Sequence, residues 1–233
     1  MKSNVIKYIF FIAVIIIVGV AVYMIYEDNK SNSENTENQT TAQTNQTITD
    51  LRMEIVSYDT INPLISNNRN VQEITKLIFE PLLQLDENYK LQPCLATEWA
   101  KSGDTSYILK LRSNVKWQDG TSFTAQDVKY TIETLKQINS IYSYNVQHIA
   151  SVDIIDNYSI RINLDTIIPF FEYNLIFPIV SSTYFAGQDI QNTDKNATPI
   201  GTGMYKIESN STSTVVLKKN TSWWNISEKN AKV

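Results

Sequence analysis

The stretch from Tyr107 to Leu135, YILKLRSNVKWQDGTSFTAQDVKYTIETL, constrains the fold most, because it spells a strand, a turn and a helix in unbroken order. Tyr107, Leu109 and Leu111 alternate with Ile108, Lys110 and Arg112, the period-2 pattern of a half-buried strand. Val115 and Trp117 add a short extended piece, and Asp119-Gly120 is a dipeptide that supplies positive φ in tight turns. Thr124 followed three residues later by Asp127 has the spacing of a capping box, with Asp127 at the positive end of the coming helix dipole. From there Ala125, Val128, Ile132 and Leu135 recur on one helical face, and Lys129, Glu133 and Lys136 fall on the other. Such a unit predicts a mixed α/β domain.

The N-terminus is of a different character. Tyr8 to Tyr26 is a run of about 19 residues without a charge, close to the thickness of a bilayer's hydrocarbon core at about 1.5 Å per helical residue. A cleavable secretory signal has a shorter apolar region of about 7–15 residues ending in small side chains, whereas this run ends in Tyr-Met-Ile-Tyr. Lys2 and Lys7 precede it and Glu27 and Asp28 follow it, the polarity of an anchor with its N-terminus inside. Residues 1–26 are therefore expected to form an uncleaved transmembrane signal-anchor. Residues 27–50 are predominantly polar, too poor in apolar surface to offset the entropy of ordering, and are expected to be a disordered tether.

From Leu51 the composition is that of a globular domain. Leu51 to Ser57 alternates into a first strand, broken by Ile61-Asn62-Pro63-Leu64. Asn70 and Glu73 have capping-box spacing before Val71, Ile74, Leu77 and Ile78, with Pro81 expected to end that helix. Ser151–Ile155 and Ser159–Leu164 flank Asp156-Asn157 as a hairpin, and Phe170 to Val180 predicts a helix followed by a strand at Phe177–Val180. In PIGTGMYKI, Gly201 and Gly203 are expected to supply backbone angles that a side chain forbids, and Val215–Leu217 continues as a strand.

Several function classes are disfavoured. A net charge of −4 offers no electrostatic footprint for DNA or RNA. With one histidine, His148, and one cysteine, Cys94, there is no transition-metal set of familiar spacing, no internal disulfide and no histidine-based catalytic pair. His148 reads as a hydrogen-bonded structural or surface residue, and Cys94, beside Leu95 and Ala96, as a small apolar one. No phosphate-binding G-x-x-x-x-G-K loop occurs, so the chain is not an ATPase, and Asp153 and Asp156 read as solvated carboxylates at a turn. Trp99, Trp117, Trp223 and Trp224 are assigned to the core or its rim. Neither a catalytic set nor a cofactor is expected.

The run V-K-W-Q-D-G-T-S-F-T-A-Q-D-V resembles the signature of the extracytoplasmic solute-binding proteins of peptide and oligopeptide ABC importers, family 5. The likeness extends to LIFEPLLQLDENYKLQPCLATEW from Leu77 to Trp99, to PIGTGMYKI with Met204 where the family usually has proline, and to LKKNTSWWN; it covers about Leu51 to Asn225. It implies one lobe of a type II periplasmic-binding-protein-like domain over 51–233, truncated before the second lobe. It also implies a ligand cleft for a peptide or other small solute, and ABC permease subunits as partners. The ligand contacts it implies are Ser57, Tyr58, Asp59 and Thr60 after the first strand, and Tyr142 or Tyr144. The expected role is a membrane-anchored, extracytoplasmic receptor that performs no chemistry; the alternatives are a membrane-tethered interaction or sensor module, or a non-functional truncated fragment.

Overall fold

The computed structural model describes residues 50–54, 58–211 and 214–226, together with Tyr23, Met24 and Glu27. Contacts divide the chain into a unit of residues 1–48 and a unit of residues 49–233. In the first, Tyr23, Met24 and Glu27 are helical, and the Tyr23 hydroxyl donates to Glu27 Oε1 at 3.1 Å. The rest of the expected span and residues 28–49 of the expected tether lie outside the described residues, as do Ile55 to Ser57. Among the described residues no helix is long and apolar enough to cross a membrane.

The second unit is mixed α/β with three antiparallel sheets. Its elements in chain order are β1 (Asp50–Glu54), α1 (Arg69–Thr75), β2 (Leu83–Leu85), β3 (Leu91–Pro93), β4 (Ala96–Gly103), β5 (Ser106–Leu111), α2 (Ala125–Leu135), α3 (Ser143–Val146), β6 (Ile149–Asp156), β7 (Ser159–Leu164), β8 (Tyr205–Asn210) and β9 (Thr214–Lys219). The largest sheet runs β4-β5-β7-β6, a second runs β1-β9-β8, and β2 and β3 form a short ribbon. Because side chains alternate along a strand, the register Leu109↔Ile160 and Tyr107↔Ile162 puts four buried residues on one face. Val128, Ile132 and Leu135 of α2 are buried in the same core, as their helical spacing predicts.

Asp127 locks this unit. It is almost wholly buried, and its Oδ2 accepts from the Thr124 N–H at 2.8 Å and from Trp117 Nε1 at 3.3 Å. Its Oδ1 accepts from the backbone N–H and the hydroxyl of Ser182 at 2.8 and 2.7 Å. The capping residue thus also ties the turn before the helix to a loop some fifty residues on. Gly120 carries the turn at φ +90°, where a Cβ would be strained.

Four local expectations are corrected. Helix α1 starts at Arg69, because the Asn68 side chain, two residues earlier than expected, accepts from the Asn70 and Val71 N–H groups at 2.9 and 3.4 Å. It ends at Thr75, well before Pro81. Phe170 to Val180 forms a 3-10 turn at Phe171–Asn174, and beyond it only a single bridge, Pro178 to Pro81, in place of a helix and a strand. Proline at both positions of that bridge removes the donors that would extend it.

Gly201 and Gly203 do not adopt positive φ; they are required for another reason. A Cβ on Gly201 would lie 1.8 Å from the Ile78 carbonyl oxygen, and one on Gly203 would lie 2.6 Å from that of Leu77. The close approach carries hydrogen bonds: the Gly203 N–H donates to Ile78 O at 2.8 Å and the Tyr205 N–H to Leu77 O at 3.0 Å. Gln118 joins from the turn after β5, its N–H donating to Gly201 O and its Oε1 accepting from the Gly201 N–H, both at 3.1 Å. Gly201→Ala is expected to lower unfolding stability by about 3 kcal/mol or more, since only backbone displacement relieves the overlap. Gly187→Ala, at an open position with φ +69°, is expected to cost about 1 kcal/mol. Urea unfolding of both variants checks the difference.

Candidate functional site

The site grows from α1 and the loop before it. Asp59 folds that loop: it accepts from the Thr60 N–H at 2.8 Å, the Ser66 hydroxyl at 2.6 Å and the Asn67 N–H at 3.1 Å. Partial burial pushes the Asp59 carboxyl up, and these hydrogen bonds together outweigh it, so it sits below its ordinary range. Gln72 of α1 then closes the loop from beneath, its Nε2 donating to Pro63 O at 3.0 Å and to Ser66 O at 2.7 Å. Gln72 Oε1 accepts from the Tyr142 hydroxyl at 2.7 Å. Asp59, Ser66, Gln72 and Tyr142 are thereby linked by hydrogen bonds across segments far apart in the chain.

Tyr142 is placed by the turn into α3, where Asn145 donates to the Asn174 carbonyl at 2.9 Å and anchors the segment. Burial pushes its phenol up to about 12, with the nearby Glu73 carboxylate acting in the same direction. Beside it opens a cleft of about 410 Å³. Phe79, Pro81, Leu83, Ile176 and Pro178 form its apolar part, and Gln72, Thr75, Lys76, Gln84 and Tyr142 its polar part. An apolar body with a few convergent polar groups is the general form of a small-molecule site.

The predicted contact residues take different positions. Tyr142 lines the cleft; Tyr144, two residues on, is 79% exposed and lies outside its lining. Tyr58, Asp59 and Thr60 do not line it either. The Tyr58 hydroxyl meets the Asn210 side chain and donates to Ser211 O at 2.6 Å, and Thr60 Oγ1 accepts from the Asn62 N–H at 3.1 Å. Ser57 lies outside the described residues. Sequence reasoning missed Gln72 and Lys76, because a polar residue in a short amphipathic helix carries no sign of which neighbour it faces.

A second buried polar centre surrounds Glu80. Its Oε1 and Oε2 accept from the indole N–H groups of Trp223 and Trp224, each at 2.9 Å, and the Arg112 guanidinium lies 4.1 Å from the Trp224 ring centre. Burial raises the Glu80 carboxyl above its ordinary range despite those donors and Arg112. All four tryptophans are at least partly buried, as assigned from sequence. Cys94 is buried, and desolvation, with the Glu80 carboxylate adding to it, pushes its thiol far above the range of reactive cysteines. His148 Nδ1 lies 3.1 Å from Asp165 Oδ1 at the surface. Among the described residues no three His, Cys, Asp or Glu side chains gather as a metal site.

Tyr142→Phe keeps the ring and leaves the buried Gln72 Oε1 without its donor, so stability at pH 7 is expected to fall by about 1–3 kcal/mol in urea unfolding. A phenol at about 10 in the unfolded chain and about 12 in the folded one binds its proton more tightly when folded. Its contribution is therefore intact below pH 10 and is lost as pH rises toward about 12. That part of the alkaline decline is expected to vanish in Tyr142→Phe.

Residues 90–233 match the model of the bacterial extracellular solute-binding proteins, family 5 Middle. The glutathione-binding protein GsiB of Shigella boydii serotype 4 (strain Sb227) is 30% identical over 172 residues, 72% of this chain and 34% of the relative. The chain thus spans about a third of the length of the curated relatives it matches. Among solved structures, NikZ from Campylobacter jejuni in complex with Ni(L-His) is 28% identical with a TM-score of 0.61, covering 78% of this chain and 41% of that one. The oligopeptide-binding protein AppA from Bacillus subtilis, in complex with a nonapeptide, shares the fold at a TM-score of 0.65 and 21% identity, covering 72% and 35%. These relatives are solute-binding proteins and not enzymes. With its mixed α/β fold like that of type II periplasmic binding proteins, the chain belongs to family 5 of the bacterial extracellular solute-binding proteins.

Proposed function

We propose that this chain takes part in capturing a small peptide or a related solute outside the cell membrane and in delivering it to the permease subunits of an ABC importer. The observation that carries the reading is the cleft between α1, β2, Tyr142 and Pro178, with an apolar part sized for a few side chains and polar groups on its wall. The relatives' ligands support the class, since glutathione, nickel-bound histidine and a nonapeptide all present amide or carboxylate groups. Binding and release need no nucleophile, and two buried ionisable groups, Glu80 and Cys94, are held by indole donors and by an apolar environment. Thermal unfolding of the chain with glutathione, with nickel–L-histidine and with a mixed peptide library tests the proposal. A bound solute at a hundredfold excess over Kd stabilises the native state by about 2.7 kcal/mol and raises Tm. A transition that none of the three moves overturns it.

The proposal includes the N-terminal anchor. The uncharged run from Tyr8 to Tyr26, with lysines before it and acidic residues after it, supports a single span that holds the domain outside on the polar segment 27–50. N-terminal sequencing of protein extracted from membranes is expected to start at or next to Met1. A mature start after Tyr26 overturns the anchor and leaves the binding role untouched.

A further inference from the structure

The polar groups of the cleft are unequal in what they have left to offer a ligand. Both Nε2 hydrogens of Gln72 are committed, to Pro63 O and to Ser66 O, and its Oε1 already accepts from Tyr142. The Tyr142 hydroxyl hydrogen is spent on that bond, and the Thr75 hydroxyl donates to Gln72 O at 3.2 Å. Pro81 and Pro178, on the same wall, have no N–H at all. These groups fix the cleft's shape and give little to an anion, and Gln84, exposed on β2, offers a neutral amide that can bond a carboxylate and a carboxamide alike.

Lys76 is different. Among the described residues lining the cleft it is the one that carries a charge, and its ammonium has three donors. It is held at the rim by Glu73, one turn back on α1, with Nζ 2.8 Å from each carboxylate oxygen. The two side chains are 65% and 57% exposed, and an exposed pair of this kind contributes little, because both partners remain solvated. A ligand carboxylate can therefore replace Glu73 at little cost while its apolar portion covers Leu85 and Ile176, the partly exposed apolar side chains of the lining.

Resting on the proposed binding role of this cleft, we infer that Lys76 is its specificity-determining residue and selects solutes carrying a carboxylate next to an apolar side chain, such as the free C-terminus of a short peptide. Glu73 holds the ammonium in place in the unliganded chain and competes with the ligand for it. The cleft accordingly ranks peptides by the charge of that terminus and not by hydrogen bonding to the wall.

Calorimetric titration of the whole chain with N-acetyl-Ala-Leu-Phe as the free acid and as its C-terminal amide tests the assignment. The acid is expected to bind about five- to tenfold more tightly than the amide in the unsubstituted chain, a charge-assisted contact discounted for its exposure. In Lys76→Gln the acid is expected to fall to the affinity of the amide, with the amide unchanged. In Glu73→Gln, which removes the competitor, the preference for the acid is expected to grow. Both substitutions are at exposed side chains, and an unchanged Tm verifies the fold. Equal affinity for acid and amide in the unsubstituted chain, or a preference that survives Lys76→Gln, overturns the assignment and leaves the peptide-binding role standing. Absence of binding by either form, where glutathione and the peptide library also fail, overturns the binding role and the assignment together.

Discussion

Much of this structure depends on one close passage of backbone past backbone. The loop at Gly201 and Gly203 runs against Leu77 and Ile78 so tightly that a methyl group on Gly201 would overlap a carbonyl oxygen. Gln118 bonds to both sides of Gly201 and donates to Tyr205 O at 2.7 Å. Three stretches of the chain, 77–81, 115–120 and 199–205, are thus joined by hydrogen bonds that form only at this separation. The strand β8 that follows then pairs with β9, and β9 with β1, so the passage also places the three-stranded sheet.

Two buried carboxylates extend the same logic. Asp127 satisfies donors from the turn, from its own helix start and from Ser182, and Glu80 satisfies two indoles from the far end of the described chain. A carboxylate buried among donors organises the segments that bring them, because each donor left unpaired inside the protein carries a desolvation cost. Neither group is placed to meet a solute: Asp127 is below the surface and Glu80 is covered by Trp223 and Trp224. Their work is to hold the frame on which α1 and the Pro81–Pro178 bridge shape the cleft.

The cleft follows from that frame by a similar economy of donors. Gln72 is used to tie the loop at 59–67 to α1 and to Tyr142, which gives the wall rigidity and removes its hydrogen-bonding capacity toward solvent. In the proposed binding role, a wall built in this way selects through shape and through the charge at its rim. Lys76, one helical turn beyond Glu73, supplies that charge.

The strand–turn–helix unit, the buried face of α2, the hairpin of β6 and β7 and the family likeness were all legible in the order and spacing of residues, because they depend on local periodicity and on turn chemistry that neighbours in the chain decide. The resemblance pointed to Tyr142 and Tyr144 alike, and nothing local separated the one that lines the cleft from the one that the fold leaves in solvent. The role of Gly201 was misread as one of backbone angle, since its true reason, the carbonyl of Ile78, belongs to a segment more than a hundred residues earlier. Gln72 and Lys76 were invisible for the same cause. The sequence by itself determined the strand–turn–helix unit, the β6–β7 hairpin and the family; only the tertiary structure decided how residues 170–180 fold and which side chains share a wall, because a hydrogen bond between distant segments leaves no periodic trace in either of them.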